Sequence, residues 1–285
     1  MIYRGYDQAG LDAQYFLRGR VTDFQSYFDD YAARSAKIRQ SLPCRLDVSY
    51  GTAPGERLDI FPAAQPGAPV HCFIHGGYWQ AMDKSDFDFV AEGLVPFGAA
   101  VAVINYALAP SVGMDEIVRQ NRAALAWVWR HAASFGGDPA RIYVSGHSAG
   151  GHLTAMMLST DWPKVAADLP ADLVKGGCAI SGLYDLEPIR LCYLNEKLQM
   201  DAAVAARNSP ILHVPSRAGS LMLCVGGAET DEFLRQQAAY AEAWRARRLP
   251  LEIVAAPGLH HFSVVDELAR PAGALNQAVR RQMGL

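Results

Sequence analysis

From residue 69 onward, short apolar runs alternate with longer stretches in which apolar residues recur at helical spacing. The apolar runs cover residues 70–74, 99–104, 141–144, 177–180, 220–225 and 251–255. The amphipathic stretches lie near residues 84–96, 115–134, 148–158, 231–247 and 272–283. Strands of a parallel sheet are buried on both faces and so are apolar throughout, whereas the helices between them keep one polar face. The pattern therefore predicts an α/β fold with a mostly parallel central sheet and helices on both faces.

The chain before this alternation has two further patterns. Residues 8–41 contain aromatic residues at helical spacing, which predicts an N-terminal helical segment lying on the core. These aromatic residues are Phe24, Tyr27, Phe28 and Tyr31. Residues 45–50 and 57–61 are short alternating runs on either side of a turn-rich stretch, so they predict an antiparallel hairpin at an edge of the sheet.

Residues 184–215 interrupt the alternation, because this interval is longer than an ordinary crossover and mixes turn and helix signals. We expect a short helical cap over the carboxyl ends of the strands, where open α/β sheets bind their ligands. Such a cap would shape the substrate pocket. Residues 1–285 are otherwise expected to form a single domain, since α/β folds of this length commonly surround one sheet.

The composition favours a globular protein with a small-molecule partner. Hydrophobic residues make up 51% of the chain and charged residues 19%, and the net charge is −3 without a charged cluster. This argues against disorder and against nucleic acid or an anionic membrane surface as partners. Without a signal-peptide pattern or a membrane-spanning run, we expect a cytoplasmic protein. The five cysteines form no CxxC pair and are expected to be reduced, and the sequence leaves a homodimer open.

The pentapeptide GHSAG at residues 146–150 matches the G-x-S-x-G pattern. It follows a predicted strand and precedes a predicted helix, as a nucleophile turn requires. Such a turn holds its serine in a strained conformation, and the flanking glycines avoid Cβ clashes. We therefore predict Ser148 as a nucleophile, with the amide of Ala149 at a helix N-terminus available to bind an oxyanion.

A second motif, HGGYW at residues 75–79, ends the first strand of the parallel series. Esterases carry an HGGG-type turn at this place, and its glycines let amides point inward. We expect the amides of Gly77 and Tyr78 to share the oxyanion with Ala149; the alternative is an ordinary Gly-Gly turn. His75 is expected to be structural, and although His71 lies on the same strand face, no ligand cluster accompanies the pair. We therefore expect no metal and no cofactor.

A serine nucleophile needs a base and an acid, which in this architecture follow it in chain order. The last predicted strand leads to His260 and His261, and these residues alone do not decide which is the base. The loop after the preceding strand contains Glu229 and Asp231, and either could be the acid. The carboxylate that is not the acid would cap the following helix.

Several of these motifs together resemble the arylformamidase (kynurenine formamidase) branch of the α/β hydrolases, which is close to the hormone-sensitive-lipase-like esterases. The motifs are HGGYW at 75–79, GHSAG at 146–150, SGLYDLEPI at 181–189, EFLRQ at 232–236 and HF at 261–262. In that family the catalytic His precedes a Phe, which implies His261. The family's acid lies three residues before the Glu of the EFLRQ motif, which implies Glu229. The family usually has Asp there, so Glu is a departure that keeps Asp231 as the alternative acid, and His260 stands where the family tends to have Asp.

The resemblance implies an α/β-hydrolase fold and a serine hydrolase that cleaves N-formyl aryl amides such as N-formylkynurenine. Tyr78, Trp79 and Tyr184 could stack against the aryl group, or each could be core packing. A small-acyl carboxylesterase would use the same residues. A protein that keeps the fold only for binding is the remaining alternative, and the full set of Ser, acid and His argues against it.

Overall fold

The computed structural model describes residues 1–285 and contains one eight-stranded sheet. The strands are β1 (Arg45–Ser49), β2 (Arg57–Phe61), β3 (Ala68–Ile74), β4 (Ala100–Ile104), β5 (Gly137–His147), β6 (Val174–Ile180), β7 (Ser220–Gly226) and β8 (Leu251–Ala256). They lie in the order β1-β2-β4-β3-β5-β6-β7-β8. All neighbours from β4 to β8 are parallel, whereas β2 is antiparallel to both β1 and β4. The mostly parallel sheet and the N-terminal hairpin are thus confirmed.

Eleven α-helices surround the sheet. They are α1 (Gln8–Tyr15), α2 (Phe24–Ser41), α3 (Met114–His131), α4 (Ala149–Leu158), α5 (Trp162–Val165), α6 (Glu187–Leu191), α7 (Asn195–Leu198), α8 (Ala202–Arg207), α9 (Asp231–Ala246), α10 (Asp266–Ala269) and α11 (Ala274–Met283). The segment expected to be helical at 8–41 is therefore two helices, α1 and α2, with a short 3₁₀ turn at Leu17–Gly19 between them. No helix is long and apolar enough to cross a membrane.

The helix expected near residues 84–96 is replaced by three consecutive 3₁₀ turns, Lys84–Asp86, Asp88–Gly93 and Val95–Phe97. Asp83 closes the first turn with a reciprocal capping box to Asp86, which satisfies the free amides locally. Pro96 has no N–H to donate to a helical hydrogen bond. These local signals override the amphipathic pattern, so this prediction of an α-helix is wrong.

The core lies on both faces of the sheet, and the alternation of side chains along each strand divides it. In β4, for example, Ala102 and Ile104 pack into one apolar cluster and Val101 and Val103 into the other. This explains why β4 is apolar at every position. The edge strand β8 is more exposed, with Ile253 facing solvent.

Residues 184–215 contain the three short helices α6, α7 and α8 and a 3₁₀ turn at Pro210–Leu212. They lie beside the N-terminal segment, since Gln8 Nε2 donates to the Leu191 carbonyl and Asp12 accepts from the Tyr193 amide. Tyr3 also donates its hydroxyl to Asp185 across 182 positions of sequence. The two segments therefore form one structural unit, which we call the roof: residues 1–20 and 184–215.

Candidate active site

The predicted site residues follow strands that end at the same edge of the sheet. Ser148 comes directly after β5, Glu229 shortly after β7, and His261 in the loop that leaves β8. The HGGYW turn follows β3, which pairs with β5. Because parallel strands place their carboxyl ends together, residues far apart in sequence meet there.

Ser148 has φ 58° and ψ −116°, a strained conformation for a residue with a side chain. Its two flanking glycines make this turn sterically accessible: a Cβ at Gly146 would overlap the Gly150 carbonyl, and a Cβ at Gly150 would overlap the Ile74 carbonyl. The Ser148 amide donates to the Ile180 carbonyl at 2.8 Å, which fixes the turn against β6. The turn thus brings Ser148 to the end of the sheet at the start of α4.

The amides of Gly77, Tyr78 and Ala149 donate no hydrogen bond to another backbone group. Gly77 has φ +100°, and a Cβ there would overlap the Ala81 carbonyl, so this position requires glycine. Gly76 lies close to Ser148, because a Cβ on Gly76 would be 3.2 Å from Ser148 Cβ. The HGGYW turn therefore presents unused donors next to Ser148, the arrangement that an oxyanion hole needs.

His261 meets Glu229 and not Asp231. His261 Nδ1 lies 2.7 Å from Glu229 Oε2, and both side chains are almost fully buried. The other carboxylate oxygen of Glu229 accepts hydrogen bonds from Ser181 Oγ and from the Gly226 amide. Asp231 is an exposed residue in the first turn of α9, where its charge favours the helix dipole.

His260 points away from this pair. Its Nε2 lies 3.1 Å from the Tyr27 hydroxyl on α2, and its Nδ1 accepts from the amides of Phe262 and Ser263. Partial burial lowers the pKa of His260. His260 does not line the cavity described below, whereas His261 and Ser148 both do.

His147 connects the GHSAG turn to the loop between β8 and α10 that carries His260 and His261, which we call the histidine loop. Its Nε2–H donates to the carbonyl of His261 at 2.8 Å, and the two rings are 4.6 Å apart. Burial, and then the neighbouring His261, hold the pKa of His147 well below its usual value. No hydrogen bond joins Ser148 Oγ to His261, a separation that is common in sites without substrate.

A cavity of about 310 Å³ opens over Ser148. Eight of its nineteen lining residues are Phe or Tyr, so its walls are mainly aromatic. Of these aromatic residues, the roof supplies Tyr15, Phe16 and Tyr193, and α2 supplies Phe28 and Tyr31. The helical spacing of Phe28 and Tyr31 predicted only contacts to the core, and no sequence pattern indicated Tyr15, Phe16 or Tyr193.

Of the three aromatic residues expected to contact substrate, only Tyr78 lines the cavity, and its hydroxyl donates to the Tyr15 carbonyl at 2.9 Å. Trp79 is fully buried and packs edge-on against His152 at 5.1 Å. Tyr184 is also buried and stacks on Tyr240 at 4.3 Å. The prediction that Trp79 and Tyr184 stack on substrate is therefore wrong, because the backbone at each position directs the ring into the core.

The two histidines of β3 are engaged by protein groups. His71 Nε2 lies 2.6 Å from Ser145 Oγ, and His75 hydrogen-bonds Asn105 and stacks on Tyr106 at 4.3 Å. Burial lowers the pKa of His71 to about 3 and also lowers that of His75. No group of three or more His, Cys, Asp or Glu side chains is arranged to hold a metal ion.

A mostly parallel sheet that carries a strained serine turn, free amides and a His–Glu pair at one edge defines an enzyme of the α/β-hydrolase type. The chain belongs to the BD-FAE family, whose model matches residues 58–240.

Similar proteins agree with this assignment. The kynurenine formamidase of Danio rerio is 34% identical over 281 residues, which cover 96% of this chain and 91% of that protein. Carboxylesterase NlhH of Mycobacterium tuberculosis is 28% identical and covers 75% of this chain and 72% of its own length. A Silicibacter crystal structure, provisionally named a thioesterase, superposes with a TM-score of 0.82 at 35% identity and covers 92% of this chain and 95% of its own. A Pyrobaculum calidifontis esterase at 19% identity shares the fold, with a TM-score of 0.72 over 95% of this chain and 97% of its own.

Proposed function

We propose that the protein hydrolyses small acyl amides or esters, and in particular formyl groups on aromatic amines, through an acyl-enzyme on Ser148. The observation that carries the proposal is the buried His261–Glu229 contact of 2.7 Å in a cavity that Ser148 also lines. The cavity of about 310 Å³ has room for one aromatic ring and a small acyl group. The relatives named kynurenine formamidase support a formamide as the substrate.

In the first half of the reaction, His261 Nε2 removes the proton of Ser148 Oγ, and the oxygen attacks the carbonyl carbon of the substrate. The negative charge moves to the carbonyl oxygen, where the amides of Gly77, Tyr78 and Ala149 receive it. Each donor of this kind contributes about 3 kcal/mol to the transition state. The C–N or C–O bond then breaks, and His261 returns the proton to the departing amine or alcohol.

In the second half, a water molecule gives a proton to His261 and attacks the acyl-enzyme. The tetrahedral intermediate uses the same amides; as it collapses, the bond to Ser148 Oγ breaks, His261 returns its proton to that oxygen, and the carboxylic acid is released. Glu229 keeps the Nδ1–H of His261 oriented throughout and stabilises the imidazolium. The bonds from Ser181 and Gly226 to the other oxygen of Glu229 hold this carboxylate in place.

A small-acyl carboxylesterase is the second candidate function. The likeness to carboxylesterase NlhH favours it, and the same residues would perform the chemistry. The two candidates differ only in the atom that leaves, nitrogen or oxygen, and His261 can protonate either one.

A panel of matched formyl and acetyl amides and esters, compared by kcat/KM, tests the proposal. We expect the aryl formamide to have the highest value. Ser148→Ala should retain less than about one thousandth of the activity while its melting temperature stays close to that of the wild type. An aryl ester turned over faster than every amide would favour the carboxylesterase.

Labelling with a fluorophosphonate probe separates both enzymes from a protein that only binds. An activated serine reacts with the probe, so the wild type should be labelled at Ser148 and the Ser148→Ala variant should not. Folded wild-type protein that resists the probe and hydrolyses none of the panel would overturn the proposal.

We also propose that the protein works in a reducing compartment such as the cytoplasm. All five cysteines are free, and four of them are buried. Proteins of oxidising compartments tend to pair their cysteines. Thiol titration of the unfolded protein, purified without reductant, should therefore find five thiols per chain.

A further inference from the structure

The HGGYW turn leads into a stretch of backbone with several left-handed conformations. Gly77 has φ +100°, and the non-glycine residues Tyr78, Trp79 and Met82 have φ of 50°, 59° and 71°. Residues with a side chain adopt this region only where their surroundings hold them there. The amides proposed to bind the oxyanion, those of Gly77 and Tyr78, lie in this strained stretch, so their direction depends on the contacts that maintain it.

Backbone hydrogen bonds hold part of the strained stretch. The Ala109 amide donates to the Trp79 carbonyl at 2.8 Å, and the Gln80 amide donates back to the Gly77 carbonyl at 3.0 Å. The Trp79 ring is fully buried in the core. None of these bonds involves Tyr78, whose position is left to other contacts.

Two side chains of the stretch are bonded to the roof. The Tyr78 hydroxyl donates to the Tyr15 carbonyl at 2.9 Å, and Gln80 Nε2 donates to the Leu194 carbonyl at 3.0 Å. The first carbonyl ends α1 and the second directly precedes α7, so each half of the roof accepts one bond. Burial raises the pKa of Tyr78 well above its usual value, which keeps the hydroxyl protonated and able to donate.

The carbonyl that accepts from Tyr78 is itself held in place. The Tyr15 hydroxyl donates to Glu232 Oε2 at 3.0 Å, and Thr230 Oγ1 donates to the Gln14 carbonyl at 2.9 Å. Thr230 and Glu232 stand at the start of α9, directly after the loop that carries the proposed acid. The end of α1 is therefore bonded both to the HGGYW turn and to the start of α9.

We propose that the roof positions the oxyanion amides, with the Tyr78 hydroxyl and the Gln80 carboxamide as two tethers that hold the strained stretch in place. This inference rests on the proposed function of the same cavity. Both acceptors are backbone carbonyls, so the tethers depend on these two side chains and on the path of the roof. The amides receive charge only as the carbonyl carbon becomes tetrahedral, so loss of a tether acts on kcat more than on KM.

The variant Tyr78→Phe removes one tether and keeps the ring and the backbone amide. A neutral hydrogen bond corresponds to a factor of about two to ten, so we expect kcat to fall about fivefold while KM changes less than about twofold. The tether variant Tyr78→Phe/Gln80→Ala should lower kcat about twentyfold. Steady-state kinetics with the best substrate of the amide and ester panel are the measurement. A higher KM at wild-type kcat would overturn the proposal, because the two side chains would then only shape the cavity.

The matched control is Tyr50→Phe/Gln282→Ala, which makes the same side-chain changes at positions that do not line the cavity. The Tyr50 hydroxyl donates to the Asn105 carbonyl at 2.6 Å, and Gln282 Nε2 donates to the Ser220 carbonyl at 3.0 Å. Both double variants should melt at a lower temperature than the wild type, but the control should keep its kcat. A control that loses as much kcat as the tether variant would assign the loss to general destabilisation and overturn the tethers.

The rate of labelling by a fluorophosphonate separates a failure of the tethers from a failure of the proposed function, because labelling needs no turnover. Ser148 Oγ attacks phosphorus as His261 takes its proton, fluoride leaves, and the same amides receive the negative charge on the phosphoryl oxygen. We expect the maximal labelling rate of Tyr78→Phe to be about fivefold lower, at an unchanged half-saturating concentration. Equal rates in Tyr78→Phe and the wild type would overturn the tethers and leave Ser148 as the nucleophile. Slower labelling of Tyr78→Phe, in a protein that hydrolyses none of the panel, would overturn only the proposed function.

Discussion

The side chain of Glu229 is one methylene longer than that of Asp, and the extra length lets its two carboxylate oxygens reach different partners. The chain folds back so that one oxygen accepts from Ser181 and Gly226 while the other meets His261. A carboxylate with three donors is held in a single orientation. The sequence could indicate both Glu229 and Asp231 but could not choose between them from the residues alone, because the choice depends on where the loop after β7 turns.

Replacement of the two carboxylates tests the acid directly. Glu229→Gln should lower kcat by a factor on the order of 10⁴, because the histidine loses the partner that fixes its tautomer. Asp231→Asn should change kcat less than about twofold and lower stability slightly, because this exposed residue only favours the helix dipole of α9. Steady-state kinetics and thermal melts of both variants are the measurements. A large loss of kcat in Asp231→Asn with little change in Glu229→Gln would reverse the assignment.

Ser181 should act on catalysis through Glu229. Removing its hydroxyl in Ser181→Ala leaves one carboxylate oxygen with only the Gly226 amide, and hydrogen bonds to charged groups are worth about 1.5–3 kcal/mol. We expect kcat to fall by roughly tenfold or more, with little change in KM. The control is Ser209→Ala, which removes a buried hydroxyl from the roof that bonds the Leu186 amide. Wild-type kcat in Ser181→Ala would show that Gly226 alone orients the acid.

Helix α2 supports the histidine loop, a role that its sequence pattern did not predict. Phe28 packs edge-on against Phe262 at 5.3 Å, Tyr27 contacts His260, and the Tyr31 hydroxyl donates to the Phe262 carbonyl. Helical spacing predicted that one face of α2 is buried. It could not identify the partner, because that partner lies more than 200 positions later in the chain.

The opposite end of α2 is tied to the 3₁₀ turns after β3 by an ion pair that should make stability depend on pH. Arg39 lies 2.7 Å from Asp88, whose side chain is fully buried with one oxygen lacking a partner. Burial, and then the charge of Asp59, raise the pKa of Asp88 to about 7 despite Arg39. The folded protein therefore holds this proton to a higher pH than the unfolded chain.

The stability that comes from protonated Asp88 is complete below about pH 4 and is lost as pH rises to about 7. We therefore expect the free energy of unfolding of the wild type, relative to Asp88→Asn, to fall by about 1–3 kcal/mol over this interval. Urea denaturation of both proteins between pH 4 and 8 measures the difference. The control Asp29→Asn, an exposed position on α2, should run parallel to the wild type. A constant difference between the wild type and Asp88→Asn would contradict the raised pKa.

For the molecule as a whole, the alternation of apolar runs and amphipathic stretches was sufficient to predict the parallel sheet, because strands buried on both faces have a distinct composition. The GHSAG pentapeptide likewise predicted the strained turn at Ser148, because this turn has steric requirements that only glycine meets. Neither sequence pattern predicts the shape of the cavity. Its walls come from loops and short helices such as α7 and from Phe16, an exposed residue between α1 and α2, and their meeting depends on contacts distant in sequence.

The proposed chemistry uses only groups of this chain, so activity should not depend on added metal. We expect kcat/KM to be unchanged after prolonged dialysis against EDTA, since an activated serine needs no Lewis acid. Activity before and after dialysis, and after addition of zinc or manganese, is the measurement. Loss in EDTA with recovery in metal would instead indicate a metal-dependent hydrolase.

The roof has a consequence for how substrate choice can change among relatives. The region that matches the BD-FAE family spans residues 58–240 and contains the HGGYW turn, Ser148 and Glu229, whereas His261 lies beyond it. Arg18, Phe16 and Phe28 lie outside it, although they line the cavity. Reaction type and substrate preference thus reside partly in different stretches of the chain. Exchanging the first forty residues with those of a relative should alter which aromatic groups are accepted while the bond-breaking steps stay the same.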